Sequence, residues 1–278
     1  MADRSIDAAR GSGDDRSRAG SRHAARKAPV TGRRPASSVD PGEIGRFDAL
    51  AATWWDPNGP MKPLHGMNPT RLAFIRQQAM AHFGRDEADI AALEGLSVAD
   101  VGCGGGLLAE PLARMGGRVA GFDPATRNIE VARAHAAAME LDIDYRAIPI
   151  EDAVAAGERF DLVTALEVVE HVADVPSFLG SLAAALKPGG LLVMSTLNRT
   201  LRAHAAAIIG AEYLLRWLPV GTHDWEKFVT PDELSRGLGK AGLDVIERKG
   251  MTPDLLRGGW RLSRDMAVNY IVSASKPG

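Results

Sequence analysis

Three sets of residues in this chain have types and spacings suited to chemistry. The first is the glycine-rich turn Asp100-Val101-Gly102-Cys103-Gly104-Gly105-Gly106. Glycines there permit positive φ and let the backbone approach a ligand closely. A dinucleotide fingerprint, G-x-G-x-x-G counted from Gly102, needs its third glycine where the chain has Leu107; the glycines fall instead at 102, 104 and 106. The second is Asp123, 21 positions after Gly102. A carboxylate there suits the two hydroxyls of a ribose, and the plainer reading is a surface Asp in an Asp-Pro turn. The third is Glu167, Glu170 and His171, which share a face if they lie on one helical turn. Two carboxylates suit Mg²⁺, with His171 as a further ligand or as a general base. The plainer reading is an acidic helix start beside a packed histidine. His65 and His223 are second candidates for a base.

Positioning these groups requires a regular scaffold, and the chain alternates between strand and helix patterns. Strands are expected at 97–101, 118–122, 143–148, 160–166 and 191–196, with later ones near 243–247 and 267–273. Helices are expected at 107–115, 126–139, 176–186 and 231–241, with Pro188-Gly189-Gly190 as a helix stop. Two more, at 43–56 and 69–82, flank a loop marked by Pro57, Gly59, Pro60 and Pro63. The alternation predicts an α/β fold, a doubly wound, mainly parallel, seven-stranded Rossmann-like sheet with helices on both faces. The glycine turn then follows the first strand and Asp123 ends the second. The end of the fourth strand reaches the same crevice, so Leu166 is either an apolar ligand contact or a core leucine.

Residues 1–42 have almost no large apolar side chains and read as a disordered tail before a domain spanning 43–278. Residues 1–34 hold nine Lys/Arg against four Asp. The remainder, with 24 basic and 31 acidic residues, carries −7, which argues against nucleic-acid binding. The basic tail suits anionic phosphates or lipid headgroups. Its Arg, Ser and Ala suggest a transit peptide, but Asp3, Asp7, Asp14 and Asp15 count against one. No apolar run is long enough for a membrane span. Cys103 is the only cysteine and fits a reducing compartment such as the cytoplasm.

Further segments carry a resemblance. They are Trp54-Trp55-Asp56-Pro57, Met61-Lys62-Pro63-Leu64-His65, Asn68-Pro69-Thr70-Arg71-Leu72, Glu167–Val172, Ser195–Arg199, Gly210-Ala211-Glu212-Tyr213 and Gly221-Thr222-His223-Asp224-Trp225. With the G-x-G-x-G turn, they resemble the ubiquinone-biosynthesis O-methyltransferases, a family of class I S-adenosylmethionine-dependent methyltransferases. The resemblance runs from about Ile44 to Ser275. It implies O-methylation of catechol hydroxyls on polyprenylated ubiquinone precursors, with S-adenosylmethionine as cofactor. It also implies cofactor contacts at Arg71, Gly102, Asp123 and Leu166.

In that setting Glu167, Glu170 and His171 become catalytic candidates, since a catechol must be ionised by a base, by a metal such as Mg²⁺, or by both. A prenylated substrate favours work at a membrane surface. Residues 201–218 form an amphipathic pattern within an insertion at about 200–222, suited to lipid contact or to packing on the domain. Expected partners are the polyprenylated catechol, anionic lipid and a ubiquinone-biosynthesis complex. The expected location is cytoplasmic and peripheral to the inner membrane, or the mitochondrial matrix in a eukaryote. Rival readings are another small-molecule methyltransferase, a nicotinamide dehydrogenase (opposed by Leu107) and a non-catalytic membrane module.

Overall fold

The computed structural model describes residues 38–86, 88–204, 227–254, 256 and 258–278. Within the span expected as a tail, Val39 bridges Val172 and the Asp40 carboxylate caps the next helix at the Gly42 amide, 2.9 Å away. Helix α1 (Pro41–Leu50) follows, then a 3₁₀ turn at Ala51–Thr53 and helix α2 (Lys62–His82). That second helix starts seven residues before the expected 69, with Pro69 inside it. Pro63 reads as loop punctuation, yet it sits in the first helical turn, where a missing N–H costs nothing.

The alternation then gives β1 (Ser97–Val101), α3 (Ala109–Arg114), β2 (Arg118–Phe122), α4 (Thr126–Ala138), β3 (Asp144–Arg146), α5 (Ile150–Ala155), β4 (Phe160–Leu166), α6 (Val175–Ala185) and β5 (Leu186–Leu197). The helical stretch α7 (Leu201–His204) precedes α8 (Pro231–Lys240), β6 (Asp244–Pro253), β7 (Trp260–Ser263) and β8 (Asn269–Ser275). Helix α5 has no counterpart in the sequence reading. Helix α8 opens on a reciprocal cap: the Glu233 amide donates to the Thr230 hydroxyl, and the Thr230 amide to the Glu233 carboxylate.

Among the described residues the sheet has eight strands in the order β3-β2-β1-β4-β5-β8-β6-β7, one more than expected. Strands β1 to β5 pair in parallel, while β8, β6 and β7 join antiparallel. The added strand arises because β6 continues to Pro253, past the expected 247, and pairs back with β7. Pro188-Gly189-Gly190 lies inside β5 rather than stopping a helix. Its register against β4 shifts between Phe160 and Leu162, which absorbs the extra residues.

Period-two alternation sorts the apolar side chains onto the two faces. Ala99, Val101, Val163 and Met194 pack with Phe178, Leu182 and Leu238 of α6 and α8. Val98, Leu162, Val193 and Ile271 pack with Phe74, Ile75, Leu112 and Ile129 of α2, α3 and α4. Both faces are covered, so the open route to the strands is at their ends.

Candidate active site

At the carboxyl ends of β1, β2 and β4, Val101 pairs with Phe122 and Asp100 with Thr164. A cavity of about 340 Å³ opens there. Arg71, Gly102, Asp123, Leu166, Glu167, Glu170 and His171 all line it. His65 does not; its Nε2 lies 2.9 Å from the Trp54 carbonyl oxygen. His223, the 210–213 and 221–225 segments and most of the amphipathic insertion lie outside the described residues.

The glycine turn is held from below by β2, since the Gly102 amide donates to the Phe122 carbonyl at 2.7 Å. Gly102 has φ +69°, and a Cβ on it would stand 2.4 Å from Val168 Cγ2. Gly104 has φ +52°, and a Cβ there would meet the Trp54 ring at 2.3 Å. Its amide donates to Asp123 Oδ2 at 2.9 Å. Asp123 is buried rather than on the surface, with Oδ1 accepting from the Ala125 amide at 2.8 Å. Burial pushes its pKa up to about 6 against the pull of these hydrogen bonds.

The sequence reading took Asp100 only as the start of the turn. It proves to be a buried acid in the cavity wall, accepting from the Thr164 hydroxyl at 2.8 Å. Its Oδ2 has no hydrogen-bond partner among the described residues, and burial pushes its pKa up to about 7. The available signal was an acid between the apolar residues Val98, Ala99 and Val101 of a strand.

Glu167, Glu170 and His171 do not share a helical face. Glu167 has φ +55°, which breaks any helix at its first residue, and only a 3₁₀ turn at Val169–His171 follows. The three side chains consequently diverge. Glu167 Oε1 accepts from Arg71 Nη2 at 2.7 Å and from the Ser195 hydroxyl at 2.6 Å. Glu170 is buried, with Oε2 accepting from the Thr196 hydroxyl at 2.8 Å. Burial and the Glu167 charge push its pKa up. His171 Nδ1 stands 3.0 Å from Glu43 Oε2, and the Phe47 ring lies edge-on to its imidazole at 5.1 Å. Burial draws the His171 pKa down, but the Glu43 hydrogen bond and the surrounding carboxylates outweigh it and raise the net value. Among the described residues no three His, Cys, Asp or Glu side chains are gathered as a metal centre. Each of the three has a different protein partner in this arrangement: Arg71 and Ser195 for Glu167, Thr196 for Glu170 and Glu43 for His171.

The sequence reading also missed what Trp54 and Trp55 do. They follow the 3₁₀ turn and lie over the glycine turn. Trp54 Nε1 donates to Asn128 Oδ1 at 2.8 Å, and Trp55 Nε1 donates to the Gly105 carbonyl at 2.9 Å. Nothing in their spacing tells which loop they cover.

Comparison with known proteins agrees with this geometry. Residues 71–248 match the model of a family described as a methyltransferase domain. Among solved structures, magnesium protoporphyrin IX methyltransferase from Synechocystis PCC 6803, with bound SAH, superposes with a TM-score of 0.59 at 21% identity. That similarity covers 84% of this chain and 99% of the other. The fold is that of the class I S-adenosylmethionine-dependent methyltransferases. The chain is 56% identical over 240 residues to the ubiquinone biosynthesis O-methyltransferase of Methylobacterium sp. (strain 4-46), covering 86% of this chain and 96% of that one. It is 54% identical over 242 residues to the protein of that name from Cereibacter sphaeroides, covering 87% and 98%. The chain therefore belongs to the ubiquinone biosynthesis O-methyltransferase family. No helix among the described residues is long and apolar enough to cross a membrane.

Proposed function

We propose that the chain transfers a methyl group from S-adenosylmethionine to a catechol hydroxyl of a polyprenylated ubiquinone precursor. The observation that carries this reading is one cavity bounded by the glycine turn, Asp123, Arg71 and the Glu167–His171 segment. The residues fit the cofactor: the buried Arg71 Nε and Asp100 Oδ2 lack partners among the described residues, so a ligand carboxylate and a ligand amino group would complete them. When bound, S-adenosylmethionine supplies an activated methyl group on a sulfonium. Asp123 receives the ribose hydroxyls, Arg71 the methionine carboxylate, Gly102 allows close approach and Leu166 gives an apolar contact.

Glu170 is the favoured acceptor of the catechol proton, because a carboxylate with a raised pKa is a stronger base. His171, whose pKa the Glu43 hydrogen bond and nearby carboxylates raise, would in its protonated form stabilise the phenolate charge that results. Glu167 anchors Arg71 and thereby ties the methyl donor to the acceptor side. Apolar residues Ile44, Phe47 and Leu50 of α1 line the same cavity and suit an aromatic ring with a prenyl tail. The expected amphipathic pattern of 201–218 would bring the chain to a membrane surface, and sedimentation with anionic lipid vesicles tests that part separately.

The reaction is tested with labelled S-adenosylmethionine and a short-prenyl catechol, with EDTA and with added Mg²⁺. Labelled ether product is expected. Product that vanishes with EDTA and returns with Mg²⁺ would instead make Glu167, Glu170 and His171 ligands of a metal. Cofactor binding without product would overturn the acceptor assignment.

A further inference from the structure

Beside the glycine turn, outside the cavity lining, lies a second group of polar side chains. Glu110, in α3, is fully buried. Its Oε1 lies 2.5 Å from His135 Nδ1, on α4, and its Oε2 accepts from Arg114 Nη2 at 3.1 Å. The His135 ring stacks on Trp55 with centroids 3.4 Å apart and planes 6° from parallel. Trp55 Nε1 in turn donates to the Gly105 carbonyl, while the Glu110 amide donates to the Gly106 carbonyl at 3.1 Å. Two successive carbonyls of the turn are thus linked through Trp55, His135 and Glu110.

A buried carboxylate is costly unless its partners are fixed, and this one has a guanidinium on one oxygen and an imidazole on the other. The imidazole is therefore pinned, and a flat ring pinned in place sets the plane of the indole stacked on it. The indole N–H can meet only a carbonyl lying in that plane. Through the indole N–H the circuit reaches the backbone of the glycine turn.

We propose that Glu110, His135 and Trp55 are positioning residues that fix the Gly105 peptide and so shape the cofactor cradle. This rests on the reading of the glycine turn as the S-adenosylmethionine site. None of the three side chains lines the cavity, and Trp55 bonds to the glycine turn, so loss of the circuit weakens the cofactor and spares the acceptor.

The test uses the full chain, with S-adenosylhomocysteine affinity by calorimetry and steady-state kinetics in both substrates. Trp55→Phe removes the N–H and keeps a ring. His135→Phe keeps the stack and removes the bond to Glu110. Each is expected to weaken S-adenosylhomocysteine about three- to tenfold and to raise the cofactor KM alike. The catechol KM and the kcat at saturating cofactor stay within about twofold of the parent. Should His135→Phe not fold, His135→Gln, which retains a polar contact to Glu110 and loses the stack, is expected to show the same split. Parent-like affinity in the variants overturns the proposal, as does a loss confined to kcat. A parent chain that fails to bind S-adenosylhomocysteine would overturn the cofactor reading itself, a distinguishable result.

Discussion

The cofactor side and the acceptor side of the cavity are built by different means. On the cofactor side, backbone does most of the positioning. Gly102 and Gly104 adopt positive φ, their amides are used by Phe122 and Asp123, and the carbonyl of Gly105 is used by Trp55. On the acceptor side, side chains from separate elements do it: Glu43 from α1, Arg71 from α2, and Ser195 and Thr196 from β5. A backbone site tolerates little added volume. A side-chain site tolerates volume and is sensitive to charge and protonation. The two halves should therefore fail differently under mutation.

The largest effect is expected at Glu170. Replacing it with Gln keeps the shape and the Thr196 contact but removes the proton acceptor, and kcat should fall about 10²- to 10⁴-fold with S-adenosylhomocysteine affinity unchanged. Single-turnover and calorimetric measurements together would expose the opposite result, a binding defect with intact chemistry. Next is Gly102→Ala. The added Cβ has no room beside Val168 and the backbone is left-handed, so cofactor binding should weaken roughly 100-fold while the catechol KM holds. If the variant binds as tightly as the parent, the turn is not the cradle. Arg71→Lys keeps a positive charge near Glu167 but gives up the planar donor set, and a cofactor affinity about tenfold lower is expected by calorimetry.

The smallest effect concerns stability. The Asp100 pKa is raised from 3.8 to about 7 on folding, so the folded state holds this proton more tightly than the unfolded chain. Its contribution to stability is greatest below pH 4 and is lost as pH rises toward about 7, above which the penalty is constant. Asp100→Asn has no such dependence. Its melting temperature relative to the parent should rise between pH 4 and pH 8; a relative fall would show that Asp100 is welcome as an anion.

The same contrast explains what was legible in the sequence. Strands β1, β2 and β4 match their expected limits at both ends, because buried parallel strands leave mainly apolar runs between polar turns. The glycine turn and Asp123 fall where a strand end must place them, and that needs no side-chain detail. The Glu167–His171 trio had the right neighbourhood and the wrong geometry. Spacing suggested a helical face, but Glu167 takes the left-handed conformation, and its partners lie 96 and 28 residues away in the chain. Local periodicity carries no information about such contacts. The same holds for Trp55 and Gly105, 50 residues apart. Pro63 and Pro188 misled for a simpler reason. Each is a residue type that usually breaks an element, yet one sits in a first helical turn and the other where the register of β5 shifts.

The most direct test of the account is S-adenosylhomocysteine binding by Asp123→Ala, measured by calorimetry beside the melting temperature of the ligand-free protein. Losing the carboxylate proposed to accept from the ribose should weaken binding about 10- to 100-fold and leave the fold intact. Unchanged affinity in a folded variant would contradict the cofactor site as drawn, and with it the placement of every group around the cavity.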